Sequence, residues 1–161
     1  MREIKYFAFT SDTTLTNYYP CKITFGGITY QSSEAIYQSR KTIDSTRWAA
    51  YANLTPDESK RMGRSEVLRS DWNDVKFQIM YSAIEAKFEQ VPEFREELMS
   101  TGDAILIEDT TGWHDNTWGI CSCEACKNKP YSNLLGLALT VLRETKKAEM
   151  GKGTKLADMF K

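Results

Sequence analysis

The sequence predicts a helix-rich α+β domain with a small antiparallel sheet. Three observations carry this. Apolar residues recur at three- and four-residue spacing through Trp72, Val75, Ile79, Met80, Ala83 and Ile84, the mark of an amphipathic helix. The segment 21–30, CKITFGGITY, sets Gly26 and Gly27 between two β-favouring runs, and two glycines supply the positive φ of a tight hairpin turn. The chain has 161 residues, 41% hydrophobic and 27% charged, which suits one domain with a sizeable core.

The elements follow in order. Residues 3–9, EIKYFAF, read as a first strand and 21–30 as the hairpin. A helix starts at Ser32 or Ser33, either of which can cap it, and runs to Ile43; a shorter one holds RWAAYAN. Thr55-Pro56-Asp57-Glu58 is a strong start signal: threonine caps, proline suits the first helical position, and glutamate completes a capping box. Ser70 or Asp71 caps the helix that begins at Trp72 and reaches Phe88 or Gln90. Pro92 opens a further helix that Gly102 ends. AILIED, 104–109, is a strand, and 110–131 form a long loop, a feature usually held in place by something or used for function. Ser132 caps a last helix. The domain spans 1–149, and 150–161 form a flexible C-terminal tail.

The formal net charge of −1 argues against coating nucleic acid through bulk charge, though not against a local basic groove. No apolar run approaches the roughly 18 residues of a membrane span. The N-terminal MREIKYFAF has the wrong charge pattern for a signal peptide, so a cytoplasmic location is expected.

Several segments occur together. Asn17-Tyr18-Tyr19-Pro20 is followed by Ile23-Thr24-Phe25, Gly27-Ile28-Thr29-Tyr30, and Ser33-Glu34 with Gln38 and Lys41. Then come Met62-Gly63-Arg64, Arg69, Asp71-Trp72, Val75-Lys76, Met80 and Lys87-Phe88. Ser100-Thr101-Gly102, Leu106, Glu108, Asp115, Trp118-Gly119, Asn133, Leu135-Gly136 and Arg143 complete the set. In this order, over about residues 6–144, they resemble the NADAR (YbiA-like) family. The resemblance implies hydrolysis of an N-glycosidic bond, with no cofactor required for the chemistry. Known branches differ in substrate. One cleaves ribosylamino-pyrimidine phosphates of riboflavin synthesis; another removes ADP-ribose from guanine in DNA, undoing a toxin's modification. Both substrates attach the sugar to an exocyclic amine, which lets the ring open to an imine. The second substrate is the leading expectation here.

Each candidate residue has an ordinary alternative. Glu34 is either a carboxylate at a helix N-terminus or a catalytic acid or base. Gln38 and Lys41, four and seven residues on, share its helical face. They are either a solvated polar face or, respectively, a ligand contact and an amine nucleophile able to form a Schiff base. Lys76 lies beside the apolar face of its helix, where it either snorkels or reaches the ligand. Arg64, and less so Arg69, can grip phosphate in place of lying on the surface, while Asp71 reads as a cap. Trp118, beside Gly119 in the long loop, either packs or stacks on a base, and Asp115 is the candidate second carboxylate. Asn17 is a ligand contact or a turn residue, and Asn133 contacts the ligand or helps to start the last helix.

Four cysteines are present, and Cys121, Cys123 and Cys126 cluster after His114, the single histidine. Three thiols and an imidazole make a complete Cys₃His set for structural zinc, with reduced free thiols as the alternative. Such a metal would brace the loop carrying Asp115 and Trp118. Two rivals from other classes remain: a module that binds ADP-ribose or NAD without cleaving it, and an antitoxin that works by contact with a protein.

Overall fold

The computed structural model describes residues 1–10 and 12–158, with side chains described to residue 152. Strand β1 (Ile4–Phe7) pairs with β4 (Ile105–Glu108), and β2 (Ile23–Phe25) pairs with β3 (Ile28–Tyr30). The second pair is the expected antiparallel hairpin, with Gly26 at φ 58° and Gly27 at φ 79° in its turn. The first pair differs from expectation because it is parallel: Ile4 lies opposite Ile105 and Phe7 opposite Glu108. All the helices between them form the crossover, so no local turn signal marks the pairing.

Helix α1 (Ser33–Ser39) is shorter than predicted, although Ser32 caps it by accepting from the Ala35 amide at 3.1 Å. A 3₁₀ helix covers Ser45–Tyr51. Helix α2 (Pro56–Arg64) begins with the expected capping box, Thr55 and Glu58 each accepting from the other's backbone amide. Helix α3 (Trp72–Gln90) carries no side-chain cap, because the Asp71 carboxylate is taken by a two-pronged contact from Arg69 at 2.5 and 3.0 Å. Helix α4 (Pro92–Ser100) is followed by Thr101 and then Gly102, whose φ of 61° turns the chain away. Helix α5 (Leu134–Asp158) continues through residues 150–158, where a tail was expected; residues 159–161 lie outside the described residues.

Helix α3 is the centre of the core. It packs against α1, α4, α5 and β2, burying Met80, Ala83, Ile84 and Phe88. Lys87 on the same helix is fully buried. Its ammonium donates to the Thr14 and Thr16 carbonyls at 2.6 and 3.0 Å and lies 4.4 Å from the Phe94 ring centre. Burial lowers its pKa to about 8. This lysine ties the segment 14–19 to the core, and that segment forms one wall of the cavity described below.

Among the described residues, no helix is long and apolar enough to cross a membrane. The capping box gives a direct check on local stability: Thr55→Ala should lower unfolding free energy by about 1 kcal/mol in a urea titration, with an unchanged midpoint contradicting it.

Candidate active site

Every residue of α1 from Ser33 to Ser39 is buried. Its polar side chains therefore have to find partners inside the protein or face a cavity. Asn17 fixes the helix start: its carbonyl accepts from the Glu34 amide at 3.2 Å and its side chain accepts from the Ser33 hydroxyl at 2.8 Å. Gln38 donates to the Glu34 carboxylate at 2.7 Å, while Gln38 Oε1 is buried with no hydrogen-bond partner. Gly63 makes room for that amide, since a Cβ there would lie 2.1 Å from Gln38 Oε1.

Glu34, Gln38 and Lys41 face a cavity of about 630 Å³. Helix α1 ends before Lys41, but the Lys41 amide still bonds to the Gln38 carbonyl at 3.2 Å, so the turn continues and the side chain lands inside. Burial raises the Glu34 pKa, against the Gln38 hydrogen bond and the charges of Lys60 and Lys41. Burial lowers the Lys41 pKa; Glu34 opposes the shift, and Lys60 and Arg64 reinforce it. Desolvation thus drives the acid and the base towards each other.

Helix α2 contributes Asp57, Lys60 and Arg64 to the cavity at three- and four-residue spacing. The facing wall is the end of β4 and the loop beyond it: Glu108, Gly112, Trp113, Asp115 and Trp118. Asp115 Oδ1 accepts from the Thr117 and Trp118 amides at 2.8 and 2.9 Å, which folds the loop around it. Glu108 is pushed up to about 8 by burial, with the negative charges of Asp115 and Glu34 adding to it. Aromatic rings fall into two groups. Phe9 meets Tyr18 and Trp113 at 5.1 and 4.7 Å, and Tyr37 meets Trp72 and Trp118 at 5.1 and 5.2 Å. Burial, and then Glu34, raises the Tyr18 and Tyr37 hydroxyls.

Of the residues singled out in the sequence, Asn17, Glu34, Gln38, Lys41, Arg64, Asp115 and Trp118 come together at this cavity. Four do not line it: Lys76, Gly119, Asn133 and Arg69. Lys76 lies on α3 with its ammonium 3.4 Å from Asn73 Oδ1. Gly119 sits behind the wall, where a Cβ would lie 2.4 Å from the Glu108 carbonyl oxygen. Asn133 is a strut: it accepts from the Glu108 amide at 3.2 Å and donates to the Leu106 carbonyl at 2.9 Å, from a backbone at φ 49°. Arg69 is held by Asp71. No sequence pattern singles out Glu108, Lys60 or Asp57 for a separate role. A carboxylate closing the apolar strand ILIE was the available signal for Glu108.

Next to this wall, His114, Cys121, Cys123 and Cys126 form a group able to hold a metal ion, their ligand atoms all within 4.8 Å of one another. Cys21 lies elsewhere, its thiol 3.5 Å from the Tyr19 carbonyl.

A deep cavity with converging carboxylates, amines and aromatic rings is the layout of a small-molecule catalytic site. The profile of the NADAR domain matches residues 5–146, and the chain belongs to that family. N-glycosidase YbiA of Escherichia coli is 36% identical over 143 residues, 86% of this chain and 85% of that one. Its solution structure superposes with a TM-score of 0.75 at 33% identity, covering 93% of this chain and 89% of that one. N-glycosidase Npun_R5314 of Nostoc punctiforme is 36% identical over 135 residues, 80% of this chain and 82% of its own. Riboflavin biosynthesis protein PYRR of Arabidopsis thaliana is 38% identical over 71 residues, 40% of this chain and 12% of that protein. The family and the long matches place the chain with the N-glycosidases, hydrolases of N-glycosyl compounds.

The raised Glu108 pKa has a stability consequence. Between its ordinary value of 4.5 and about 8, the unfolded chain loses this proton while the fold retains it, so the contribution of this group to stability falls as pH rises through that window. Glu108→Gln should therefore gain roughly 2–4 kcal/mol relative to wild type between pH 4 and pH 9, read by denaturant titration. An equal difference at both pH values would contradict the shift.

Proposed function

We propose that this chain hydrolyses the bond between ADP-ribose and the exocyclic amine of guanine in DNA. The observation that carries the proposal is the placing of Glu34, Glu108, Asp115 and Lys41 around one cavity, with the Glu34 and Glu108 pKa values raised and that of Lys41 lowered. At neutral pH such a site offers a carboxylic acid that donates a proton and an amine with more of its neutral form than usual.

In this reading Glu108 protonates the ribose ring oxygen as the C1–O bond breaks, leaving an iminium between C1 and the guanine amine. Neutral Lys41 adds to C1, one proton of its nitrogen passes to the guanine amine, which leaves, and C1 is now held as a protonated imine to Lys41. Glu34 removes a proton from water as it adds to C1. The carbinolamine then collapses: Glu34 gives its proton to the Lys41 nitrogen, the C1 hydroxyl gives its proton to Glu108, the C1–N bond breaks, and neutral Lys41 is released with free ADP-ribose. Asp115 balances the positive charge at C1. Lys60 and Arg64, on the same helix face, suit the diphosphate. The two aromatic groups suit a ligand with two bases, one at each end of the ribose–diphosphate unit. Every step uses side chains of the chain itself.

A second reading is a ribosylamino-pyrimidine phosphate as substrate, supported by the match to a protein named for riboflavin biosynthesis. The exocyclic amine and the phosphate would use the same residues, with one aromatic group left idle. A binding module or a contact antitoxin would need affinity only and gains nothing from the opposed shifts at Glu34 and Lys41.

An oligonucleotide carrying ADP-ribose on guanine, incubated beside the ribosylamino-pyrimidine phosphate, separates these readings. Wild type should release ADP-ribose, and Glu34→Gln should slow it by about 10²–10⁴-fold. Borohydride should trap a covalent adduct on Lys41 that Lys41→Met abolishes while Lys76→Met keeps it. Turnover of the pyrimidine compound alone would select the second substrate, and ligand affinity without turnover of either would reject the glycosidase reading.

A further inference from the structure

We propose that His114, Cys121, Cys123 and Cys126 bind one zinc ion that serves as a structural clamp on the cavity wall. The three sulfurs surround a single imidazole nitrogen. His114 Nδ1 lies 3.6 Å from Cys121 Sγ, 3.4 Å from Cys123 Sγ and 3.4 Å from Cys126 Sγ. A tetrahedral zinc with bonds of about 2.3 Å to sulfur and about 2.0 Å to nitrogen sets each sulfur about 3.5 Å from the nitrogen. The observed separations match that edge length. Hydrogen bonding does not account for them, because one Nδ1 has one lone pair or one proton and can serve one thiol fully, not three. Disulfide bonding does not account for them either, since all three cysteines are free.

The backbone carries a second sign of the same demand. His114 sits at φ 60°, a left-handed conformation uncommon for a residue with a side chain, and this turns its ring onto the thiols. Cys121 is oriented separately by its amide, which donates to Asn116 Oδ1 at 2.9 Å, and the Cys126 amide closes a turn onto the Cys123 carbonyl at 2.9 Å. Four protein ligands fill a tetrahedral zinc and leave no position for water or substrate. The ion is therefore structural and outside the glycosidic chemistry.

Its effect reaches the cavity through short covalent links. His114 lies between Trp113 and Asp115, both cavity residues, and Trp118 lies between the histidine and the first thiol. Tying residue 114 to 121–126 closes the loop that presents Asp115 and Trp118. Without the ion, that segment is held by hydrogen bonds, several of them solvent-exposed, such as Thr111 with Ser122 at 3.0 Å.

The test is elemental analysis of the untagged full chain, purified under reducing conditions without chelator, followed by exchange of the metal for Co²⁺. One zinc per chain is expected, and the cobalt protein should show thiolate-to-cobalt charge transfer with the strong visible bands of tetrahedral coordination. Cys126→Ser and His114→Asn should each weaken metal binding more than about 100-fold in chelator competition. Asparagine tolerates the left-handed backbone, so the second variant removes the ligand without adding strain. Circular dichroism confirms that each variant is folded. Only trace metal in folded, reduced wild type with no cobalt uptake would overturn the proposal. So would stoichiometric zinc retained in both variants. Neither result bears on the glycosidase reading, which uses no metal.

Discussion

Complete burial of α1 is the constraint on which the site depends. A seven-residue helix with no solvent-facing side still carries Glu34 and Gln38. A carboxylate placed there loses most of its hydration and must either be protonated, be paired, or face an internal space. Here it accepts from Gln38 and opens onto a cavity shared with Lys41 and Lys60. The same desolvation that raises the acid lowers the neighbouring amine, so the two groups shift in opposite directions across one cavity.

The remaining walls are brought to α1 by interactions that are distant in sequence. Lys87, buried in the core, holds segment 14–19 by two carbonyls and so places Asn17 and Tyr18. Asn133 bridges Glu108 and Leu106, fixing the end of β4 against the start of α5. The parallel pairing of β1 with β4 brings Phe7 beside Glu108, which sets the aromatic residue Phe9 near the loop that bears Trp113. Polar residues that the sequence offers as ligand contacts are in part such struts. Their hydrogen-bonding capacity is spent on the backbone, and the residues they position do the facing.

Local signals in the sequence were sufficient for most elements. Gly26 and Gly27 marked the hairpin, Thr55 and Glu58 the start of α2, the apolar repeat α3, and Gly102 the end of α4. Each depends on backbone or side-chain chemistry within a few residues. The misses have two causes, one local and one long-range. Asp71 does not cap α3 because Arg69 claims it, and β1 with β4 run parallel because the chain between them crosses over. Glu34, Gln38, Lys41, Arg64, Asp115 and Trp118 line one cavity. Lys76 stood as well as Lys41 on spacing alone, and only the packing of α3 separates the two. Glu108 lies on a strand with no helical pattern, and its raised pKa arises from burial together with the charges of Asp115 and Glu34, which are distant in sequence.

The most direct test of the account is a site-resolved NMR titration of the Glu34 carboxyl and the Lys41 amine in the full, folded chain. The account predicts that Glu34 titrates above the ordinary glutamate value and Lys41 below the ordinary lysine value, and that replacing Glu34 by glutamine lowers Lys41 further. Ordinary values for both groups would mean that water reaches α1 freely, and would contradict the claim that burial creates the site.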